Sequence, residues 1–593
     1  MGTILSRDDL DFLLFDWLDV TSLTSRPRFA EHSRETFDEF LTVSEQLAER
    51  EFAPHNALSD RNEPTFDGER VTIIPEVKRA LDAYADAGLI GAALDERVGG
   101  LQLPKTVERA CQMWFQAANT ATAAYPLLTV GAANLLVAHA SPELVDRYVP
   151  ALAEGRFFGV MCLSEPDVGS SLGDVTTRAV PQGDGTHRVF GTKMWISGGE
   201  HDMAENIVSL VLARYDGGPR GVRGLSLYVV PKYLLDAGGD PSERNAIELV
   251  GVNHKMGYRG TVNTVLQFGG DVHRPGGAPG AVGYLIGEEG KGLAYMFHMM
   301  NEARVGVGAG AAALGMTSHL HAVAYARERT QGRLAGQDPA SAMVPLIRHA
   351  DVRRMLLASK AYAEGAVALV MYGARLLDDE LTAETSEERA AAALLLDALT
   401  PIIKSWPSQW CLVANDLAIQ VHGGYGYTRE FPVEQFYRDN RLNPIHEGTF
   451  GIQARDLLGR KVAQGGGAGL RAITSAIRAT LSRAAREHAA DAARLEELVA
   501  RAEVVTAEVL AVDDPEARLA DSAAYLEAMG HLVVAWLWLD LITTLDGRED
   551  AFAEGKRAAC SYFFAYEVPK IAPLFDVVAA RSRLLVDLDD SVL

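Results

Sequence analysis

HRVFGTKMWISGG, residues 187–199, reads as a strand ending in a double glycine, set in a chain otherwise written in helical spacing. Valine, isoleucine and aromatic residues fill it, and glycines bound it. The same texture recurs in NIVSLVLARY (206–215), RGLSLYVVPKYL (223–234) and NTVLQFGG (263–270). These runs predict a β-domain of about 120 residues inserted between helical regions. Upstream, FDWLDV and TFDEFLTVSEQLAEREF carry apolar residues at helical spacing, RVGG and QLP punctuate, and Ser141 in ASPELVDRYVPAL predicts a helix cap. Downstream, IRHADVRRMLLASKAYAEGAVALVMYGARLL is long and has few breakers. PIIKSWPSQWCLVANDLAIQVH sets Ile402, Trp406, Trp410, Val413 and Leu417 along one face. QGGGAG (464–469) reads as a linker, and the remainder is again helical. The expected blocks are 1–156 (helical), 157–280 (β), 281–463 (helical) and 470–593 (helical). Helical blocks around one β-block predict an α+β fold, not alternating βαβ units.

The 593 residues are 48% apolar and 23% charged, a globular composition with enough length for several domains. A net charge of −23 argues against binding nucleic acid or docking on anionic lipid, both of which need basic surface. Cys111, Cys162, Cys411 and Cys560 are far apart, with no CxxC and no histidine cluster beside them. This predicts no disulfide framework, no metal site and a reducing, cytoplasmic setting. The start MGTILS matches a lipidation pattern, but no basic patch follows, and the early acidic residues do not suit a signal peptide. The apolar run Leu532–Leu539 stops at Asp540, too short to span a bilayer.

Two familiar patterns are decoys. GVGAGA (306–311) fits GxGxxA but follows the helical MFHMMNEAR rather than a strand, so it reads as a helix thinned for close packing. GSSLG (169–173) fits GxSxG around Ser171, yet SEPDVGSSLGDV has the turn formers of an extended loop and not of a nucleophile elbow. Four dispersed segments share a different logic. MCLSEPDVGSS (161–171) offers backbone N–H groups and small hydroxyls suited to a flat polar ring or a phosphate. KMWISGG (193–199) brings an indole, Trp195, beside Ser197. QVHGGYGYTREFP (420–432) pairs glycines where a backbone must come close to something, or where a helix merely ends. NPIHEGTFGIQ (443–453) places Glu447 between a histidine and a Gly-Thr pair, with apolar residues on both sides.

These segments, with HKMGYRGT (254–261), LIGEEGKGL (285–293), NEAR (301–304), YARER (325–329) and VEQFYRD (433–439), stand in an order that resembles the acyl-CoA dehydrogenase family over residues 40–462. The length and helical tail resemble its longer bacterial members. The resemblance implies a helical N-terminal domain, a middle β-barrel-like domain, a helical catalytic domain and an added C-terminal helical domain. It implies FAD held between domains and a neighbouring subunit, in a homodimer or homotetramer. The implied reaction is α,β-dehydrogenation of an acyl-CoA to the trans-2-enoyl-CoA, with electrons passed to an electron-transfer flavoprotein.

Glu447 aligns with the family's catalytic base in (Tyr/His)-Glu-Gly-Thr, and His446 replaces the commoner tyrosine. Members that carry the base elsewhere place it immediately before the arginine that here is Arg304. That position is Ala303, and Glu302 lies a further residue back, about 100° around the helix. By the same resemblance Leu163, Ser164, Gly169 and Ser170 contact the isoalloxazine and pyrophosphate, Ser170 also touching the CoA arm. Trp195, Ile196 and Ser197 cover the flavin, and Thr449 and Gly451 meet the adenosine side. Arg329, Gln420, Gly423 and Gly424 are lent to FAD by a second subunit. Asn301 and Arg304, at i and i+3, grip CoA, and Gly448 leaves room for substrate. The usual Arg-x-x-Phe-Gly reads Arg329-Thr330-Gln331-Gly332-Arg333, without the aromatic. Alternatives are an oxidase on the same fold passing electrons to oxygen, a thioester hydrolase using Ser171, and a flavin-free acyl-CoA-binding protein.

Overall fold

The computed structural model describes residues 2–484 and 486–593, apart from the side chains of 297–301 and 486, so the expected substrate contact Asn301 lies outside the described residues. The chain divides into two compact units, one of Glu35–Pro104 and Trp114–Ala303, the other of Met1–Arg34, Lys105–Met113 and Arg304–Leu593.

The first unit carries the β-domain. Its main sheet is built of β1 (Phe157–Cys162), β2 (Arg178–Pro181), β3 (His187–Ser197), β4 (Asn206–Tyr215), β5 (Leu225–Pro231), β6 (Ile247–Val252), β7 (Asn263–Phe268) and β8 (Ala281–Ile286). The last runs past the expected boundary at 280. The order β6-β7-β3-β8-β5-β4-β1 would leave an open sheet, but β2 pairs with both β3 and β4. The strands β3, β8, β5, β4 and β2 therefore close a ring, while β6 and β1 remain at the two ends of the path. Val160, Ile196, Val211, Tyr228, Leu266 and Phe268 pack one core of this domain. A second core joins the β4–β5 face to helical residues such as Leu136, Tyr148, Val149 and Leu152.

The second unit is helical. It contains the C-terminal part of α1 (Gly292–Glu328), then α2 (Ala350–Thr382) and α3 (Ser386–His422), followed by α4 (Val433–Asn440) and α5 (Phe450–Asp456). A capping box starts α3, Thr385 accepting from the Glu388 N–H while Glu388 reaches back. GVGAGA lies inside α1, as its helical context predicts. A Cβ on Gly308 would sit 2.2 Å from the Ile403 carbonyl of α3, and one on Gly315 would sit 2.7 Å from Cys411. The small residues thus let two helices pack backbone to backbone. Gly308→Ala is expected to force them apart at a cost of about 1–3 kcal/mol, read as a lower thermal unfolding midpoint, and an unchanged midpoint would refute the close-packing role.

The first 34 residues belong to this helical unit and not to the N-terminal block in which sequence order places them. Buried Phe12, Leu13 and Leu14 anchor them, and the Lys556 ammonium binds both Asp9 and Glu364, the latter at 3.0 Å. QGGGAG differs from a plain linker. Gly465, Gly466 and Gly467 all take left-handed φ (57°, 63° and 91°) as the chain turns into the helix Gln464–Arg483. The apolar run 532–539 is wholly buried in the helix Ser522–Thr544.

Candidate active site

In the β-unit the loop after β1 is fastened from below. Lys193, on β3 and fully buried, donates from Nζ to the Leu163 carbonyl at 2.8 Å and to Glu165 Oε1 at 3.1 Å. Glu165 also accepts from the N–H and hydroxyl of both Thr176 and Thr177, at 2.6–2.9 Å. Burial pushes this carboxyl up, but Lys193 and the threonine donors outweigh it and bring the pKa to about 2. The Ser164 carbonyl accepts from the Met194 N–H at 3.0 Å. Gly169 and Ser170 lie exposed at the loop tip, and nothing stands within 4 Å of a Cβ built on Gly169.

The register of β3 against β7 shifts between Ile196↔Thr264 and Lys193↔Leu266, so β3 carries an extra residue there. At this bulge Trp195 has φ +66°, a left-handed conformation that is rare for an aromatic residue. The residue is 55% exposed, so it is not a core tryptophan. Ile196 differs, with its side chain packed into the β-core, which leaves only its backbone available to a ligand. The Ser197 hydroxyl accepts from Asn263 Nδ2 at 3.2 Å. Ser171 heads a 3₁₀ turn, Leu172–Asp174, and β1 ends well before it, so no strand–turn–helix elbow supports a nucleophile.

In the helical unit Glu447 stands in the turn between α4 and α5. It has φ +51° and is followed by Gly448 at +85°. The left-handed Glu447 stores strain that its surroundings must offset, whereas Gly448 takes its φ freely. Gln453 Nε2 donates to the Glu447 carbonyl at 2.9 Å, and a Cβ on Gly448 would meet that same Nε2 at 2.6 Å. Gly448 is thus required by backbone conformation and by Gln453. Thr449 caps α5, its hydroxyl accepting from the Ile452 N–H at 3.3 Å, while Gly451 is exposed with open space around it. Among the described residues no acceptor takes the Glu447 N–H.

Glu447 is half-buried, and burial raises its pKa against the opposing pull of Arg304 and Lys404. Arg304 is only 4% exposed and lies 3.5 Å from Asp456 Oδ2. Its buried charge faces Asp456 and Glu447. Glu302, the near-miss for the alternative base, has its carboxylate held by Asn134 Nδ2 at 2.9 and 3.0 Å.

Arg329, Gln420, Gly423 and Gly424 gather in one groove of about 540 Å³ at the C-terminal end of α3. Gly423 ends the helix at φ +61°, and no atom lies within 4 Å of a Cβ on either glycine. Tyr325 stacks on His422 at 4.2 Å and walls the groove, an aromatic surface that the missing phenylalanine does not supply.

Three features escape a reading along the chain. Lys404 on α3 is fully buried beneath the Glu447 turn. Asn415, Asn440, Asn443 and His446 form a buried relay of side-chain bonds of 2.6–3.0 Å. The Glu165–Lys193 pair is the third. The available signal was a lysine inside the apolar run PIIKSWP, since a buried ammonium demands specific partners.

Residues 34–156 match the acyl-CoA dehydrogenase N-terminal domain, 290–463 the acyl-CoA dehydrogenase C-terminal domain, and 473–589 a domain described as acetyl-CoA dehydrogenase C-terminal like. The chain is 38% identical to 3-methylmercaptopropionyl-CoA dehydrogenase of Ruegeria pomeroyi, covering 91% of this chain and 90% of that protein. It is 33% identical to a broad-specificity linear acyl-CoA dehydrogenase of Mycobacterium tuberculosis, over 99% and 98%. Its fold is shared with an acyl-CoA dehydrogenase of Bacillus anthracis complexed with FAD (TM-score 0.76, 19% identity, 99% and 93% covered). It is shared too with Caenorhabditis elegans ACDH-11 in complex with C11-CoA (TM-score 0.75, 18% identity, 98% and 94% covered). With domain matches on both sides of the β-domain and identity sustained along nearly the full length, the chain belongs to the acyl-CoA dehydrogenase family.

Proposed function

We propose that this protein dehydrogenates an acyl-CoA thioester to the trans-2-enoyl-CoA with FAD as cofactor, Glu447 abstracting the α-proton. The observation that carries this reading is the Glu447 turn: a carboxyl of raised pKa on a strained, braced backbone whose own N–H is uncommitted. An α-proton of a thioester is weakly acidic, so the base must be close and its proton affinity must be high. The developing enolate oxygen needs fixed donors, and the free Glu447 N–H suits that role. Burial raises the carboxyl toward a useful basicity, and an acyl chain that excludes water from the turn raises it further.

FAD, when bound, supplies the acceptor for the β-hydride. The residues fit such a group: Trp195 turns an exposed indole outward, and Gly169, Gly423, Gly424 and Gly451 leave open backbone where a flat or phosphorylated ligand can come close. Leu163, Ser164, Gly169 and Ser170 would hold the isoalloxazine and pyrophosphate side, with Trp195, Ile196 backbone and Ser197 beside the ring. Thr449 and Gly451 would hold the adenosine side. Arg329, Gln420, Gly423 and Gly424 would serve the cofactor of a second copy of the chain, Arg329 giving its planar fork to the pyrophosphate. In this reading Arg304 tunes Glu447 electrostatically, and Arg304, Asn301, Ser170 and the passage at Gly448 would serve CoA and its acyl chain.

The test is the visible spectrum of the purified protein followed by anaerobic titration with acyl-CoAs of graded length and with 3-methylmercaptopropionyl-CoA. A yellow protein bleached by at least one of them is expected, with electrons passing to an electron-transfer flavoprotein faster than hydrogen peroxide appears. A colourless protein that releases free CoA would overturn the reading. Peroxide formed at the full bleaching rate would favour the oxidase.

A further inference from the structure

We propose that Lys404 is the positioning residue of the catalytic turn, its buried ammonium stapling the two ends of residues 443–448 so that Glu447 keeps its reactive direction. The proposal rests on the reading of Glu447 as the base. Lys404 Nζ donates to the Asn443 carbonyl at 2.8 Å and to the Gly448 carbonyl at 2.8 Å. These acceptors flank Glu447 on both sides, so one side chain of α3 closes the turn like a clasp. The turn needs such a clasp because Glu447, a residue with a side chain, is held left-handed, and a strained residue relaxes unless held from outside. Gln453 holds only the middle, at the Glu447 carbonyl. An ammonium suits the task better than a neutral donor, since it carries three N–H groups and its bonds are charge-assisted.

The same charge acts on the base. Three ionisable groups face Lys404: Glu447 and His446 from the turn, and Arg304 from α1. Asp456, Arg460 and Asp397 lie behind Arg304. His446 is kept neutral, burial and the neighbouring Lys404 bringing it down to about 3. Burial brings Lys404 itself to about 7, with Glu447 opposing and Arg304 adding. While charged, the lysine lowers the Glu447 pKa and limits the rise that burial imposes. Geometry and charge are therefore set by one residue whose side chain is closed off from solvent and spent on two backbone carbonyls.

The experiment compares Lys404→Met and Lys404→Gln with the parent holoenzyme, and carries Glu447→Gln beside them. Rates of anaerobic bleaching at saturating acyl-CoA are measured across pH, together with FAD content and the half-saturating acyl-CoA concentration. Lys404→Met is expected to bleach about 100-fold more slowly, with FAD content unchanged and half-saturation within about threefold, because misaimed chemistry affects the rate and not binding. The rise of rate with pH is expected about one unit higher, since a neighbouring cation is gone. Lys404→Gln, which keeps a donor but no charge, is expected to recover part of the rate and none of the pH shift. A rate and pH profile unchanged in either variant overturns the proposal. Loss of fold or of FAD in both variants also overturns it, by assigning the lysine to folding. Bleaching that survives in Glu447→Gln, with Lys404 intact, instead removes the base reading itself.

Discussion

Glu447→Gln is expected to give a yellow protein that binds acyl-CoA and does not bleach. The amide keeps the volume and the turn, because the contacts that hold the backbone run through the Glu447 carbonyl and its neighbours and not through the carboxylate. What disappears is the proton acceptor, and the bleaching rate should fall by about 10²–10⁴-fold, the usual span for a lost general base. The parent rate should rise with pH as the carboxyl ionises, with its midpoint above 4.5, because burial raises this group in the free enzyme. The variant should show no such rise. Stability adds an independent sign. A carboxyl whose folded pKa is raised binds its proton more tightly in the native state, so its favourable contribution is present at low pH and is lost as pH rises through the folded pKa. Glu447→Gln should therefore melt no lower than the parent at neutral pH, and higher if the carboxylate is ionised there. Retained bleaching, or a large drop in melting temperature, would remove Glu447 from the chemistry.

The parts of this molecule that were legible along the chain are those whose cause is local. Strand texture around Trp195, the helical context of GVGAGA and the turn-rich loop at Ser171 are decided by neighbours within a few residues, and each takes the form it predicts. Glu447 draws notice as an acid beside Gly-Thr among apolar residues, and its proposed role as base comes from the resemblance to the family. The outward turn of Trp195 was not legible, because the bulge arises from register against β7, some 70 residues away in sequence. Arg304 shows the same limit. Its spacing from Asn301 describes a helix face, but its burial beside Asp456 depends on another helix. Lys404 and Lys193 carry the lesson furthest. Each is a lone cation in an apolar segment, and each clasps backbone carbonyls of a loop distant in sequence. Only the fold reveals which carbonyls those are.

Lys193→Met is expected to be the most destabilising single change near the proposed cofactor loop. The pair it breaks is enclosed, Lys193 fully buried and Glu165 nearly so. Removing one partner of a buried pair leaves an uncompensated charge, which costs about 3–5 kcal/mol. The loss is not confined to stability, because the same ammonium holds the Leu163 carbonyl, and with it the loop that would meet the flavin. FAD content should fall together with the melting temperature, whereas Lys404→Met should keep its FAD. The pH dependence follows from Glu165. In the parent its folded pKa of about 2 lies below the ordinary 4.5, so its contribution is present above 4.5 and is lost as pH falls toward about 2. In the variant the four threonine donors remain, but burial now acts without the lysine, and protonation relieves the stranded charge. The stability gap between parent and variant should therefore be widest at neutral pH and narrow as pH drops below 4.5. Thermal melts of both proteins over that range, with FAD absorbance read on the same samples, measure it. A gap that does not change with pH would mean that the lysine supports the loop by packing and not by its charge.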